Sequence, residues 1–98
     1  MNIFEDKLSK TKRYIYINID NGKFRMDEQD LGPLAGFDNE YERCMSEIDV
    51  QALYNLFDVH TPEELIQVIK KEFGRNNGFD LFSDLVHDKG IRYSYYCG

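Results

Sequence analysis

Apolar and polar residues alternate along Tyr14-Ile15-Tyr16-Ile17-Asn18-Ile19, and the run ends at Asn21-Gly22, a strong two-residue hairpin signal. A type I′ turn at that dipeptide pairs Asp20 with Lys23, Ile19 with Phe24 and Ile17 with Met26. In that register the apolar residues of both strands share one face. Tyr14, Tyr16, Asn18 and Asp20 then share the other face with Lys23, Arg25 and Asp27. Two tyrosines among charged groups suit either the rim of a binding surface or a solvated sheet face with cross-strand Tyr–Arg packing. The sequence alone favours the solvated face.

The period changes from 2 to 3.6 further along the chain. Ser46-Glu47-Ile48-Asp49 resembles a capping box with Asp in the Glu position, which predicts a helix over residues 47–57 with Ile48, Ala52, Leu53 and Leu56 inward. Thr61-Pro62-Glu63-Glu64 supplies an N-cap, a proline at the first helical position and acids at the positive end of the dipole. Leu65, Ile66, Ile69 and Phe73 continue at helical spacing, Lys70 and Lys71 fill the last turn, and Gly74 stops the helix. A third helix is expected over residues 80–88, with Phe79, Phe82, Leu85 and Val86 inward and Gly90 after it. A final strand over residues 91–97 alternates Ile91, Tyr93, Tyr95 and Cys97 with Arg92, Ser94 and Tyr96.

Three segments read less sharply. Residues 1–12 suggest a short amphipathic helical turn, with Ile3, Phe4 and Leu8 on one side. Leu31-Gly32-Pro33-Leu34-Ala35-Gly36 holds three breakers and reads as a loop. Tyr41 to Ser46 has the alternation of a third strand only in part. These elements predict an α+β domain: a three- or four-stranded antiparallel sheet, built from the N-terminal hairpin and the C-terminal strand, with about three helices packed on one face. A chain of 98 residues has the size of one domain, residues 1–98. Its 42% apolar content and fourteen Phe and Tyr residues supply one core.

Charge changes the picture by its placement. The chain carries a net −6, yet residues 27–49 hold eight acids against Arg43 alone. The remainder is close to neutral. A concentrated acidic stretch speeds encounters with a basic protein and repels nucleic acid as a direct ligand; the same pattern also fits an ordinary solvated loop. Lys7, Lys10, Lys12 and Arg13 form a weak basic run, read as a solvated N-terminal arm. No apolar run approaches the roughly 20 residues a bilayer requires, and the first residues lack the apolar stretch of a signal peptide. No membrane partner is expected, and the cytoplasm is the expected compartment, with Cys44 and Cys97 reduced.

Candidate chemistry is sparse. Cys44, His60, His87 and Cys97 lie 16, 27 and 10 residues apart, unlike the close ligand pairs of structural zinc sites. Asp38-Asn39-Glu40 does not complete a calcium loop, and no glycine pattern matches a phosphate loop. Neither a cofactor nor enzymatic activity is expected.

These features suggest a small acidic protein that inhibits a nucleic-acid-processing partner by occupying its basic surface. Asp27, Glu28, Asp30, Asp38, Glu40, Glu42 and Glu47 are the expected contacts, with Phe37 and Tyr41 as aromatic anchors. In size and charge the chain resembles the small acidic inhibitors of phages and mobile elements, anti-CRISPR and anti-restriction proteins among them. The likeness is one of type and rests on no shared motif. An immunity protein for a nuclease toxin would use the same physics. A small redox protein or enzyme using Cys97 or Cys44 belongs to a different class, as does a homodimer formed through Tyr93, Tyr95 and Tyr96 at a sheet edge.

Overall fold

The computed structural model describes residues 1–6, 12–34 and 37–98, with side chains described outside 32–34 and 37–40. Five strands form one antiparallel sheet: β1 (Asn2–Asp6), β2 (Lys12–Asp20), β3 (Lys23–Leu34), β4 (Phe37–Asp49) and β5 (Ser94–Cys97). Their order in the sheet is their order in the chain. Three helices, α1 (Val50–Phe57), α2 (Pro62–Phe73) and α3 (Gly78–Asp88), lie between β4 and β5 in sequence and cover one face. The domain is α+β, with five strands where three or four were expected. Among the described residues no helix is long and apolar enough to cross a membrane.

The β2–β3 hairpin has the register that Asn21-Gly22 dictates: Asp20 faces Lys23, Ile19 faces Phe24 and Ile17 faces Met26. Both turn residues have positive φ, 51° at Asn21 and 73° at Gly22, as a type I′ turn requires. Inward residues Ile15, Ile17, Phe24, Met26, Met45 and Ile48 meet Leu53 of α1, Leu65, Ile69 and Phe73 of α2, and Phe79, Phe82 and Val86 of α3. Phe82 is the aromatic hinge of this core, with ring centroids 5.3 Å from both Phe24 and Phe73.

Two strands replace other expected structure, each through a bulge. In β4, Met45 faces Met26 and Ile48 faces Phe24, so three steps along β4 match two along β3. Ser46 and Glu47 together oppose Arg25, and Glu47 takes the left-handed conformation at φ 58°. The extra residue shifts the phase of the alternation, which keeps Met45 and Ile48 on the same buried face. Ile48 is therefore a sheet residue, and the helix expected over 47–57 begins at Val50. Asp49 is its N-cap, accepting a hydrogen bond from the Gln51 amide at 3.0 Å.

In β1 a register shift between Asn2 and Phe4 turns both Ile3 and Phe4 toward the core. Adjacent apolar residues of this kind read as a helical turn, but the segment is a strand. Its end is held by Met1, whose ammonium donates to the Ile17 carbonyl at 2.9 Å and whose carbonyl accepts from the Ile17 amide at 2.8 Å. The part of that expected turn carrying Leu8 lies outside the described residues.

The loop expected over residues 31–36 is the far end of the β3–β4 hairpin, paired out to Leu34 and Phe37, with Ala35 and Gly36 outside the described residues. The last β2 partner on β3 is Leu31, so Pro33 falls where β3 has become an edge and no ladder bond is lost. The final strand does not join the hairpin, because β1 and β4 occupy both of its sides. It pairs with β4, from Ser46–Ser94 to Arg43–Cys97.

The α2 cap follows the sequence closely. Thr61 Oγ1 accepts from the Glu64 amide at 3.1 Å, and the Glu64 carboxylate accepts from the His60 amide at 3.2 Å. After Phe73 the chain reverses into α3 within four residues, and Gly78 starts α3 against the end of α2. A Cβ at Gly78 would collide with the Phe73 carbonyl oxygen.

Gly78→Ala is accordingly expected to lower unfolding free energy by about 2–3 kcal/mol in urea denaturation, because backbone must move to admit the methyl group. Glu47→Gly should change stability in the opposite direction, by about 0.5–1 kcal/mol, since glycine relieves the left-handed strain at the bulge. A lower melting temperature for Glu47→Gly would show that the bulge is not strained.

Candidate interaction surface and the buried ion cluster

Strand alternation divides the acidic stretch between two faces. Asp27 and Glu42 lie on the face without helices, whereas Glu28 and Asp30 lie on the helix side. A run of acids that is continuous in sequence is thus not continuous on the surface.

On the helix side, Glu28 is 1% exposed, the one buried charged residue among those described. Arg43 holds its Oε1 with Nη2 at 2.6 Å and Nε at 2.9 Å. Arg13 Nη1 stands 3.7 Å from Oε2, which accepts no hydrogen bond. Each arginine has a further partner. Arg13 forks onto Asp30 at 2.7 and 2.8 Å and donates to the Asn76 carbonyl at 3.1 Å. Arg43 donates to Asp80 at 2.7 Å and its guanidinium lies 4.6 Å from the centroid of Phe79. The cluster therefore ties β2, β3 and β4 to the connection before α3 and to its first turn.

Burial pushes the Glu28 carboxyl up from its ordinary value, against the pull of Arg43 and Arg13. Burial also works against the charge on Arg43, but its hydrogen bonds to Asp80 and Glu28 outweigh this and its pKa is raised. For Arg13 the fork onto Asp30 dominates and raises its pKa. Arg13 is thus part of β2 and of the ion cluster, and does not belong to a solvated arm. Its inward position follows from the alternation that places Ile15 and Ile17 inward, a signal present in the sequence. Glu28, inaccessible beneath the helix layer, is not a surface a partner can touch.

The open face has a different character. Tyr14 and Tyr16 stack with ring centroids 6.2 Å apart. Tyr16, Asn18, Arg25, Asp27, Gln29 and Glu42 line a shallow depression of about 360 Å³. Arg25 forks onto Asp27, with Nε–Oδ2 at 2.9 Å. Arg25 is exposed and Asp27 half-buried, and an ion pair this open to solvent contributes little stability. Tyr96, 63% exposed, completes the face beside Cys44.

The remaining expected contacts scatter. Glu47 is exposed at the bulge. Tyr41, 46% exposed, has its hydroxyl 2.8 Å from Cys97 Sγ. Phe37, Asp38 and Glu40 occupy β4, but their side chains lie outside the described residues, as do Lys7 and Lys10 of the basic run.

Both cysteines are free. Cys44 faces Tyr96 across the ladder and Cys97 faces Arg43, so the thiols point to opposite faces and cannot bridge. Cys44 is 4% exposed, and burial followed by the Asp27 carboxylate pushes its thiol up to about 11, opposite to the shift a nucleophile requires. His87 Nδ1 lies 3.2 Å from the Tyr93 hydroxyl. Among the described residues no three His, Cys, Asp or Glu side chains gather to hold a metal ion.

Compared with protein-family models, with curated proteins and with solved structures, the chain matches none.

Arg43→Met should destabilise the fold by about 3 kcal/mol or more, because it leaves a buried carboxylate with its second guanidinium only at a distance. A raised carboxyl pKa favours the folded state at low pH, and that contribution is lost as pH rises through the folded value. Without Arg43 the Glu28 pKa rises further, so the loss should be smaller near pH 5 than near pH 8. Urea denaturation at both values checks this. An equal loss at both would mean that Glu28 is not the group left uncompensated.

Proposed function

We propose that the chain is a small acidic binding protein that inhibits a nucleic-acid-processing partner by occupying its basic surface, using the face of the sheet that no helix covers. The observation that carries this reading is the placement of Asp27 and Glu42 around Tyr16 in a shallow, solvent-facing depression. Asp27 and Glu42 are diagonal neighbours on adjacent strands, a separation of about 7–8 Å between backbones. Carboxylates so arranged offer lysine and arginine side chains an alternative to phosphates. Tyrosines beside them add contact area at low entropic cost.

Inhibition here needs no chemistry from the chain itself, and the protein acts by occupancy. The reading is of the phage or mobile-element anti-defence type, such as an anti-CRISPR. An immunity protein that blocks a nuclease toxin would use the same face, and the two differ in the partner's identity. A redox role for Cys44 is weakened by the raised pKa of its buried thiol.

The test begins with affinity capture from the source cell, followed by competition with purified components. The captured protein is expected to bind nucleic acid, and the wild-type chain to displace DNA or RNA from it. The double variant Asp27→Lys/Glu42→Lys should associate at least about tenfold more slowly at low salt, with the difference shrinking as salt screens the charges. Unchanged association, or partner binding with nucleic acid still in place, would remove the open face from the mechanism.

A further inference from the structure

The two edges of the sheet are unequal. β1 is guarded in three ways. It carries Glu5 and Asp6, it is bulged between Asn2 and Phe4, and the end of α2 closes on it. A Cβ on Gly74 would lie 2.9 Å from the Ile3 carbonyl oxygen, and Asn76 Nδ2 reaches Asp6 at 3.5 Å. Charges, bulges and covering elements are the devices by which proteins prevent strand addition at an edge.

β5 has none of them. All four of its residues are exposed, its pairing with β4 has no register shift, and Tyr95 is 52% exposed. Residues 93–98 bear no charged side chain in a chain of net charge −6. Two copies that approach through their acidic parts repel each other. At β5 they meet without that repulsion.

The register defines which backbone groups are free. Glu42 and Gly98 exchange both of their amide hydrogen bonds, at 3.0 and 2.9 Å. In an antiparallel ladder such pairs alternate along the strand. Gly98, Tyr96 and Ser94 therefore turn their amides and carbonyls toward β4. Those of Cys97 and Tyr95 point to the open edge, and the same alternation continued one step before β5 would turn Tyr93 outward as well.

We infer that this edge pairs with the same edge of a second copy of the chain, antiparallel, about a two-fold axis through Tyr95. In that arrangement Tyr95 exchanges both amide bonds with its counterpart, and Cys97 does so with Tyr93 of the other copy. The interface gains about six main-chain hydrogen bonds. The axis is placed at Tyr95 because it is the middle of the three outward-facing residues, so that all three are paired; an axis at any neighbouring residue leaves at least one of them unmatched. Two five-stranded sheets become one continuous sheet, with both helix layers on one side. Both open faces then lie together on the other side. The inference stands independently of the inhibitory reading. If both hold, the dimer offers a partner two acidic faces in fixed relation. A pairing this short buries little area, so the association is expected to be weak and reversible on dilution.

The experiment is analytical ultracentrifugation of the purified chain under reducing conditions, which removes any disulfide through Cys97. The wild type is expected to be dimeric at about 100 µM and to dissociate on dilution. Tyr95→Lys puts like charges opposite each other at the axis and should raise the dissociation constant about tenfold. Tyr95→Glu should do the same. An equimolar mixture of the two variants should recover the dimer as a heterodimer, which only self-pairing at this position explains. Tyr95→Pro removes the outward amide while leaving the bonds to β4, and should also give monomers, with circular dichroism confirming the fold. A monomeric wild type at about 100 µM overturns the inference and leaves an extended segment of another protein as the occupant of the edge. Dimers that persist in both the lysine and proline variants overturn it as well, since the contact would then lie elsewhere.

Discussion

A single layer of three helices can bury only one face of the sheet, so every long strand must keep its apolar residues in one phase. The β3–β4 pairing is where this constraint is hardest to meet. Met45 and Ile48 are an odd number of residues apart, and a regular strand would send one of them to solvent. The bulge at Ser46 and Glu47 absorbs the extra step. Because Phe24, Met26, Met45 and Ile48 then form one surface, the three helices have a common plane to pack against. The left-handed Glu47 is the local strain accepted for that phase change.

Toward the other end of the same face the strategy changes from apolar packing to ion pairing. Glu28, Arg13 and Arg43 occupy inward positions that hydrophobic residues fill elsewhere in the sheet. Their partners Asp30, Asn76 and Asp80 lie at the margin of the core, so the cluster passes from a buried carboxylate to solvent-facing groups within two side chains. Such an arrangement fixes geometry more than it adds stability, because desolvation offsets much of the attraction. Here it fixes where α3 starts relative to β3 and β4.

The parts of the fold that were legible in the sequence are those in which local chemistry and periodicity agree. Asn21-Gly22 between alternating isoleucines specified the hairpin, and Thr61-Pro62 ahead of a helical apolar stripe specified α2. β4 was obscured for two reasons: its inward positions include Tyr41 and Arg43, and its phase jumps at Glu47. β1 was obscured by the adjacent Ile3 and Phe4, whose shared burial depends on a bulge that no local pattern announces. Gly32 and Pro33 resemble a loop, yet they remain paired with β4 and fall where β3 has lost only its β2 neighbour. The candidate surface was readable only by composition. Assigning Asp27 and Glu28 to opposite faces required knowing that this acidic stretch is strand, and pairing Glu28 with Arg43 required its register.

The coincidence of strand order with chain order also bears on how the molecule is assembled. Each of β2, β3 and β4 lies beside the strand that precedes it in the chain and is joined to it by only a short turn or connection, at small loop-closure entropy. β5 alone reaches its partner across three intervening helices. The β4–β5 pairing is therefore the one ladder of the sheet that must close a long loop, and it carries the largest closure entropy of the four.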